Sequence, residues 1–315
     1  RNHIDLRYAV MLIRSFEEAD EIAGRVGPKK VSVVKADNRE FLLALKEAYE
    51  RGYAEPVLIG DERKIRELAE EISFDITKFA VIDVRDPQES ADKGVQLVES
   101  GETHFILRGY IDGPYLYRSL IWAASKRGFR RCVSGVALMQ FPVLPKLIAV
   151  TDAGLTVAPD FRAKMEIIED AVDLFSRFGY ESPQVGLIAA RRGLNDDLGS
   201  VSDAVRIREA YEKGELPGCR LMEGLSLADF LLGGEGFLDR FEEIDYSRIP
   251  DILIAPNLEY GNIACKIDNI AANDFFSGIR RHVIIVGGGM PAVIPSRSDS
   301  HETIITDIAL GVLSS

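Results

Sequence analysis

An α/β fold with mostly parallel sheets is predicted by two features of the chain. Short, continuously apolar runs recur along it, and helical patterns lie between most of them. Runs apolar on both faces suit parallel strands covered on each side, and their alternation with helices suits βα units.

Val31–Val34 reads as a strand, followed by a helix over Asn38–Glu50 that turns Phe41, Leu42, Leu45, Ala48 and Tyr49 inward. Pro56–Ile59 is a second strand, and Gly60-Asp61 opens a helix carrying Ile65, Leu68 and Ile72. Strands continue at Ala80–Val84, Thr103–Leu107, Lys146–Val150, Gln184–Ala189, Ile252–Ala255 and Val283–Val286. Helices are expected over Gln88–Ser100, Pro114–Lys126, Ala163–Phe178, Ser202–Glu212 and Ile263–Ser277. Gly233–Pro250, glycine-rich and then acidic, reads as an exposed excursion containing the loop Gly233-Gly234-Glu235-Gly236. In such folds ligands sit at the carboxyl ends of strands.

A length of 315 residues exceeds what one core usually organises, so two domains are expected. The net charge of −12 and the lack of any basic block exclude a nucleic-acid surface. Any anion must then be met by a local positive pocket, which makes individual arginines informative. Cys132, Cys219 and Cys265 are scattered and odd in number, as for reduced thiols in a cytoplasmic protein. His3, His104, His282 and His301 form no zinc pattern, so no metal is expected. No run has membrane-spanning length, and no secretory leader is read.

The richest stretch is His282–Leu310. The run His282–Val286 meets Gly287-Gly288-Gly289, which does not fit a dinucleotide fingerprint. The run Pro291–Pro295 then leads into Ser296-Arg297-Ser298-Asp299-Ser300. Ile304, Ile305, Ile308, Ala309 and Val312 follow at helical spacing, and Asp299 with Glu302 makes a capping-box pattern. Free N–H groups at that helix start, two hydroxyls and an arginine predict a phosphate-sized anion site, against the plainer reading of a capped surface helix.

Other strand ends carry candidates. Asp152 follows Lys146–Val150, as turn chemistry or as a cleft carboxylate. Beyond Ile252–Ala255 come Glu259, Asn262, read as a helix N-cap, and Lys266. Arg108 ends Thr103–Leu107, and the next helix carries Arg118, by itself a solvated helix charge.

Four segments together resemble the phosphate acetyltransferase/phosphate butyryltransferase family, closer to its butyryl branch. They are KADNREFLLALKEAYERGYAEPVLIGDERKIRELAEE, TDAGLTVAPDFRAKMEIIEDAV, PDILIAPNLEYGNIACKIDNIA and PAVIPSRSDSHETIITDIAL. The last two carry the most specific motifs. The resemblance implies two doubly wound α/β domains of the isocitrate/isopropylmalate dehydrogenase-like type, with an inter-domain cleft, in a homodimer. Residues 1–132 plus 281–315 would form one domain with the Ser-Arg anion site, and 133–280 the other.

The implied reaction is acyl-CoA plus phosphate giving acyl phosphate plus CoA, with no cofactor and CoA as substrate. Ser296, Arg297 and Asp299 would be catalytic: a donor to the carbonyl oxygen, a phosphate anchor and an acceptor of the thiol proton. Arg108, Arg118, Asp152, Glu259, Asn262, Lys266 and Ser298 would contact substrate, Arg118 because the family places an arginine there.

Departures from the family pattern cluster at strand ends. Acetyl-transferring relatives carry an aspartate where this chain has Thr303. The family's Lys-Gly is Arg108-Gly109, a threonine shortly beyond is Gly113, and a Ser-His pair is Ser134-Gly135. An Asp-Gly-Pro-Leu segment reads Met222-Glu223-Gly224-Leu225-Ser226. Arginine keeps the charge of lysine but not its geometry. The alternatives are an acyl-carrier-protein-dependent phosphate acyltransferase and a catalytically silent homologue that binds an anion or CoA. A decarboxylating dehydrogenase of the same fold is disfavoured by the lack of clustered aspartates and of a dinucleotide loop.

Overall fold

The structure, a computed structural model, describes residues 12–126, 132–189, 198–226, 229–230, 248–274 and 278–315, the side chains of 267–274 excepted. Its strands are β1 (Lys29–Val34), β2 (Ala54–Gly60), β3 (Val81–Asp83), β4 (Phe105–Arg108), β5 (Ser134–Gln140), β6 (Leu147–Thr151), β7 (Gln184–Leu187), β8 (Arg220–Leu221), β9 (Ile252–Ile254), β10 (Arg280–Val286) and β11 (Ala292–Val293). The helices are α1 (Phe16–Val26), α2 (Arg39–Glu50), α3 (Glu62–Glu71), α4 (Pro87–Glu99), α5 (Gly113–Lys126), α6 (Phe161–Arg177), α7 (Gly199–Glu212), α8 (Leu258–Asp274) and α9 (His301–Ser314).

All described strands join one sheet in the order β3-β2-β1-β4-β11-β10-β5-β6-β9-β7-β8. Two parallel blocks, β3-β2-β1-β4-β11 and β6-β9-β7-β8, flank β10 and β5. β10 is antiparallel to both β11 and β5, and β5 to β6. The sheet is therefore mixed at its centre, a correction to mostly parallel pairing. β10 and β11 make a hairpin whose turn is Gly287, Gly288 and Gly289, all at positive φ (87°, 63° and 71°). Three successive left-handed residues are what glycine permits without Cβ strain. The expected strand Val283–Val286 extends back to Arg280, because Arg280 to His282 pair with Gln140, Met139 and Leu138 of β5.

Local chemistry sets the helix starts. Asn38 caps α2 by accepting from the N–H groups of Glu40 and Phe41. Asp61, Asp86 and Asp160 cap α3, α4 and α6 in the same way, with Pro87 in the first turn of α4. Two expected caps move. Ser300, not Asp299, is the N-cap of α9, and its side chain makes no cap bond. Asn257, whose side chain accepts from the Tyr260 N–H, precedes α8, leaving Asn262 inside that helix.

The segment α9 is buried from Ile304 to Ser314 and packs against α1, α2, β4, β10 and β11, so it is a central helix rather than an amphipathic surface one. α4 and α5 cover the opposite face through Ala91, Val95, Leu116 and Leu120, packed with Ile106, Ile285 and Ala292. Most of the expected excursion Gly233–Pro250, with its glycine cluster, lies outside the described residues.

Candidate active site

Segments that follow strand ends converge on one cavity of about 730 Å³. β4 contributes Arg108, the link from β11 to α9 contributes Pro295, Ser296, Ser298 and Asp299, and the turn after β6 contributes Ala153, Gly154 and Leu155. α8, following β9, adds Asn262, Cys265 and Lys266. β10 adds Arg281, His282, Val283 and Ile285, α5 adds Tyr117, and α9 adds Asp307. α8 sits close enough to the turn after β6 that a Cβ on Gly261 would lie 2.0 Å from the Asp152 carbonyl oxygen. Any larger residue there would push the helix and the turn apart.

The hydroxyl cluster is self-ordered. The Oγ atoms of Ser296 and Ser298 lie 3.0 Å apart, and the Ser296 N–H donates to Asp299 Oδ2 at 2.6 Å. Asp299 therefore closes the turn rather than capping α9. Burial pushes its carboxyl above the usual range, with the Ser296 N–H opposing and the Asp307 carboxylate adding to the rise. Arg108 donates to the Pro295 carbonyl, which fixes the guanidinium beside the cluster, while its buried Nε–H has no partner. Burial lowers the pKa of Arg108 and raises that of the adjacent Tyr117 phenol.

Of the candidates, Ser296, Ser298, Asp299, Arg108, Asn262 and Lys266 come together at this cavity. Four other candidates stand elsewhere. Arg297 is absent from the cavity lining; its Nη1 lies 2.8 Å from Asp112 Oδ1, with the two side chains 51% and 57% exposed. Arg118 is exposed and donates to Gln88 Oε1 at 3.1 Å. Glu259 is exposed on the first turn of α8. Asp152 is buried, and its carboxylate accepts from the backbone N–H groups of Gly135, Gly154, Leu155 and Thr156. It is spent on the turn, as turn chemistry had it.

Arg281, His282, Asp307 and Tyr117 also line the cavity and were not among the candidates. Asp307 had left a signal: an acid among Ile304, Ile305 and Ile308 on a helix with an apolar pattern. Among the described residues no group of His, Cys, Asp and Glu side chains could hold a metal ion. The thiol of Cys132 is pushed up to about 11 by burial and the neighbouring Glu166 carboxylate, the reverse of an activated nucleophile. Among the described residues no helix is long and apolar enough to cross a membrane.

Comparison with known proteins agrees with this architecture. The family described as phosphate acetyl/butaryl transferase matches residues 88–312. A phosphate butyryltransferase of Clostridium beijerinckii is 29% identical over 300 residues, covering 95% of this chain and 97% of the relative. A phosphate acetyltransferase of Thermotoga maritima is 28% identical over 287 residues, covering 90% and 95%. The crystal structure of a branched-chain phosphotransacylase from Enterococcus faecalis V583 superposes with a TM-score of 0.70 at 20% identity, covering 91% of this chain and 99% of that one, a likeness of fold.

Proposed function

This chain belongs to the phosphate acetyl/butaryl transferase family, and on that premise we propose that it moves a short acyl group between CoA and inorganic phosphate. One observation supports this reading most directly: Arg108, Arg281 and Lys266 bring cations, Ser296 and Ser298 bring hydroxyls, and Asp299 brings a carboxyl to a single cavity. Phosphate needs fixed cations and directional donors, and the unpartnered Arg108 Nε–H with the two serine hydroxyls offers both. In the direction that consumes CoA, the thiol, with an ordinary pKa near 8.5, must lose its proton before sulfur attacks the acyl carbon. Asp299, held by the Ser296 N–H, is the acceptor in this reading. Ser296 donates to the carbonyl oxygen as negative charge develops there. No bond to the enzyme is required, so the rate gain rests on placing two substrates side by side.

Arg297 enters this reading as the phosphate anchor at the rim once its guanidinium leaves Asp112 for the ligand. The reading further takes the chain as a cytoplasmic homodimer, with residues 1–132 plus 281–315 and residues 133–280 as the lobes on either side of the cavity. The test is thiol release from a panel of short straight and branched acyl-CoAs, with and without phosphate. Phosphate-dependent release with any of them supports the reading. No release from the panel, with turnover only of a carrier-protein thioester, would replace CoA as the donor. Binding of CoA and phosphate without turnover would mark a silent homologue.

A further inference from the structure

His282 of β10 and Asp307 of α9 meet inside the cavity wall, Nδ1 to Oδ1 at 3.0 Å, with side chains 2% and 1% exposed. The contact is close but poorly aligned: neither Asp307 oxygen makes a hydrogen bond of good geometry, nor does His282 Nδ1. A carboxylate buried without aligned donors costs several kcal/mol in ordinary cores. His282 also makes a T-shaped contact with the Phe16 ring, with ring centroids 4.5 Å apart. Asp307 also shares the cavity with Asp299 and Arg108.

We propose that Asp307, held by His282, is a positioning residue that keeps one buried negative charge against the cavity in which Asp299 exchanges a proton with the thiol. The inference rests on the acyl-transfer reading for its catalytic meaning, not for its electrostatics. In the step concerned the thiol S–H bond breaks with its electron pair left on sulfur, and the proton goes to the Asp299 carboxylate. Sulfur then bonds to the acyl carbon as the C–O bond to phosphate breaks and phosphate leaves as an anion. A second carboxylate lining the same cavity as Asp299 favours its protonated form and so makes it a stronger acceptor. Burial and the Asp307 charge push the Asp299 carboxyl in this direction, and the Ser296 N–H, His282 and Arg281 oppose the rise without cancelling it.

Among the described residues, charged groups come from several of the elements packed around the pair. Arg108 comes from β4 and Arg281 from β10, while Asp20 and Glu17 of α1 stand near Arg280. Glu40 of α2 is engaged by His301, and Asp170 and Asp173 of α6 line a separate hollow beside Gly287–Gly289. β5 and β11 bring no charged side chain.

The test compares the pH dependence of kcat in the CoA-consuming direction for the unaltered chain, Asp307→Asn and Asp299→Asn. Activity falls at acid pH as Asp299 becomes protonated. Removing the Asp307 charge should move that limb to lower pH by about half a unit or more. The limb should be absent in Asp299→Asn. A limb that stays in place in folded Asp307→Asn overturns the proposal, even if the thermal midpoint drops. A second measurement needs no turnover: aspartate labelled with ¹³C at Cγ in the unaltered chain, with Asp299 assigned from the spectrum of Asp299→Asn. The Asp299 resonance should titrate above the ordinary carboxyl range in the unaltered chain and move down in folded Asp307→Asn. An Asp299 curve with a single, ordinary carboxyl step overturns the proposal. Absence of turnover with a raised Asp299 midpoint that falls in Asp307→Asn would instead count against the acyl-transfer reading alone.

Discussion

Arg297 Nη1 lies 2.8 Å from Asp112 Oδ1, at the rim formed by the Ser296–Asp299 turn and the start of α5. Both partners are about half exposed, so the pair holds the arginine only weakly against solvent. In the proposed role of Arg297 as phosphate anchor, an incoming phosphate competes with the Asp112 carboxylate for the same guanidinium. Asp112→Asn should therefore lower the KM for phosphate by about two- to five-fold with kcat little changed, within the ~1 kcal/mol range of exposed pairs. Initial rates over a phosphate series decide it, and a raised KM would show that Asp112 orients Arg297 rather than withholding it.

Arg108 and Arg297 should differ in weight. Arg108 is largely buried and fixed on the Pro295 carbonyl with one N–H unused, whereas Arg297 stands at the exposed rim. Arg108→Ala is expected to reduce kcat/KM for phosphate by on the order of 10²-fold or more, about 3 kcal/mol for a lost charge-assisted contact. Arg297→Ala should cost at least as much only if its guanidinium swings into the cavity on binding. A loss below about ten-fold for Arg297→Ala would confine it to the rim.

The contrast between these arginines shows what the sequence could and could not convey. Apolar runs and caps are local, so β1, α2, β2, α3 and the segment Ser296–Asp299 were legible from spacing, whereas Asn262 and Lys266 became site candidates only through the family resemblance. Pairing direction is not local. The turn at Gly287–Gly289 reverses the chain, and only in the sheet does β10 emerge as antiparallel to both neighbours. β5 went unread because Ser134–Gln140 carries polar residues at both ends of its buried run. Side-chain aim was equally invisible: Arg297 and Ser298 are neighbours in sequence, yet Ser298 lines the cavity and Arg297 reaches away to Asp112.

Asp20 of α1 provides a stability test with a defined sign. Burial raises its pKa, while Arg280, Arg51 and the Thr306 hydroxyl oppose the rise without cancelling it. A carboxyl with a raised folded-state pKa adds stability below its unfolded pKa, and that contribution is lost as pH rises through the folded value. Asp20→Asn should therefore raise the thermal midpoint at pH 7, and the gain should shrink toward pH 4. A thermal midpoint lowered at pH 7, with the loss shrinking on acidification, would show that the Arg280 pairing outweighs burial.

Asp152 is the sharpest separation of scaffold from chemistry. Its carboxylate gathers the N–H groups of Gly135, Gly154, Leu155 and Thr156, tying the start of β5 to the turn that follows β6. Replacing it by Ala would leave several buried donors unpaired at once, a cost on the order of 3 kcal/mol or more. Asp152→Asn restores one acceptor oxygen but sets an NH₂ against the remaining donors, so it should recover only part of the loss. Chemical denaturation of both variants measures the cost, and initial rates on the folded fraction measure activity. A role confined to the turn requires stability to fall while kcat per folded molecule stays within about three-fold. A kcat loss of about 10²-fold in a variant of unchanged stability would instead return Asp152 to the reacting groups.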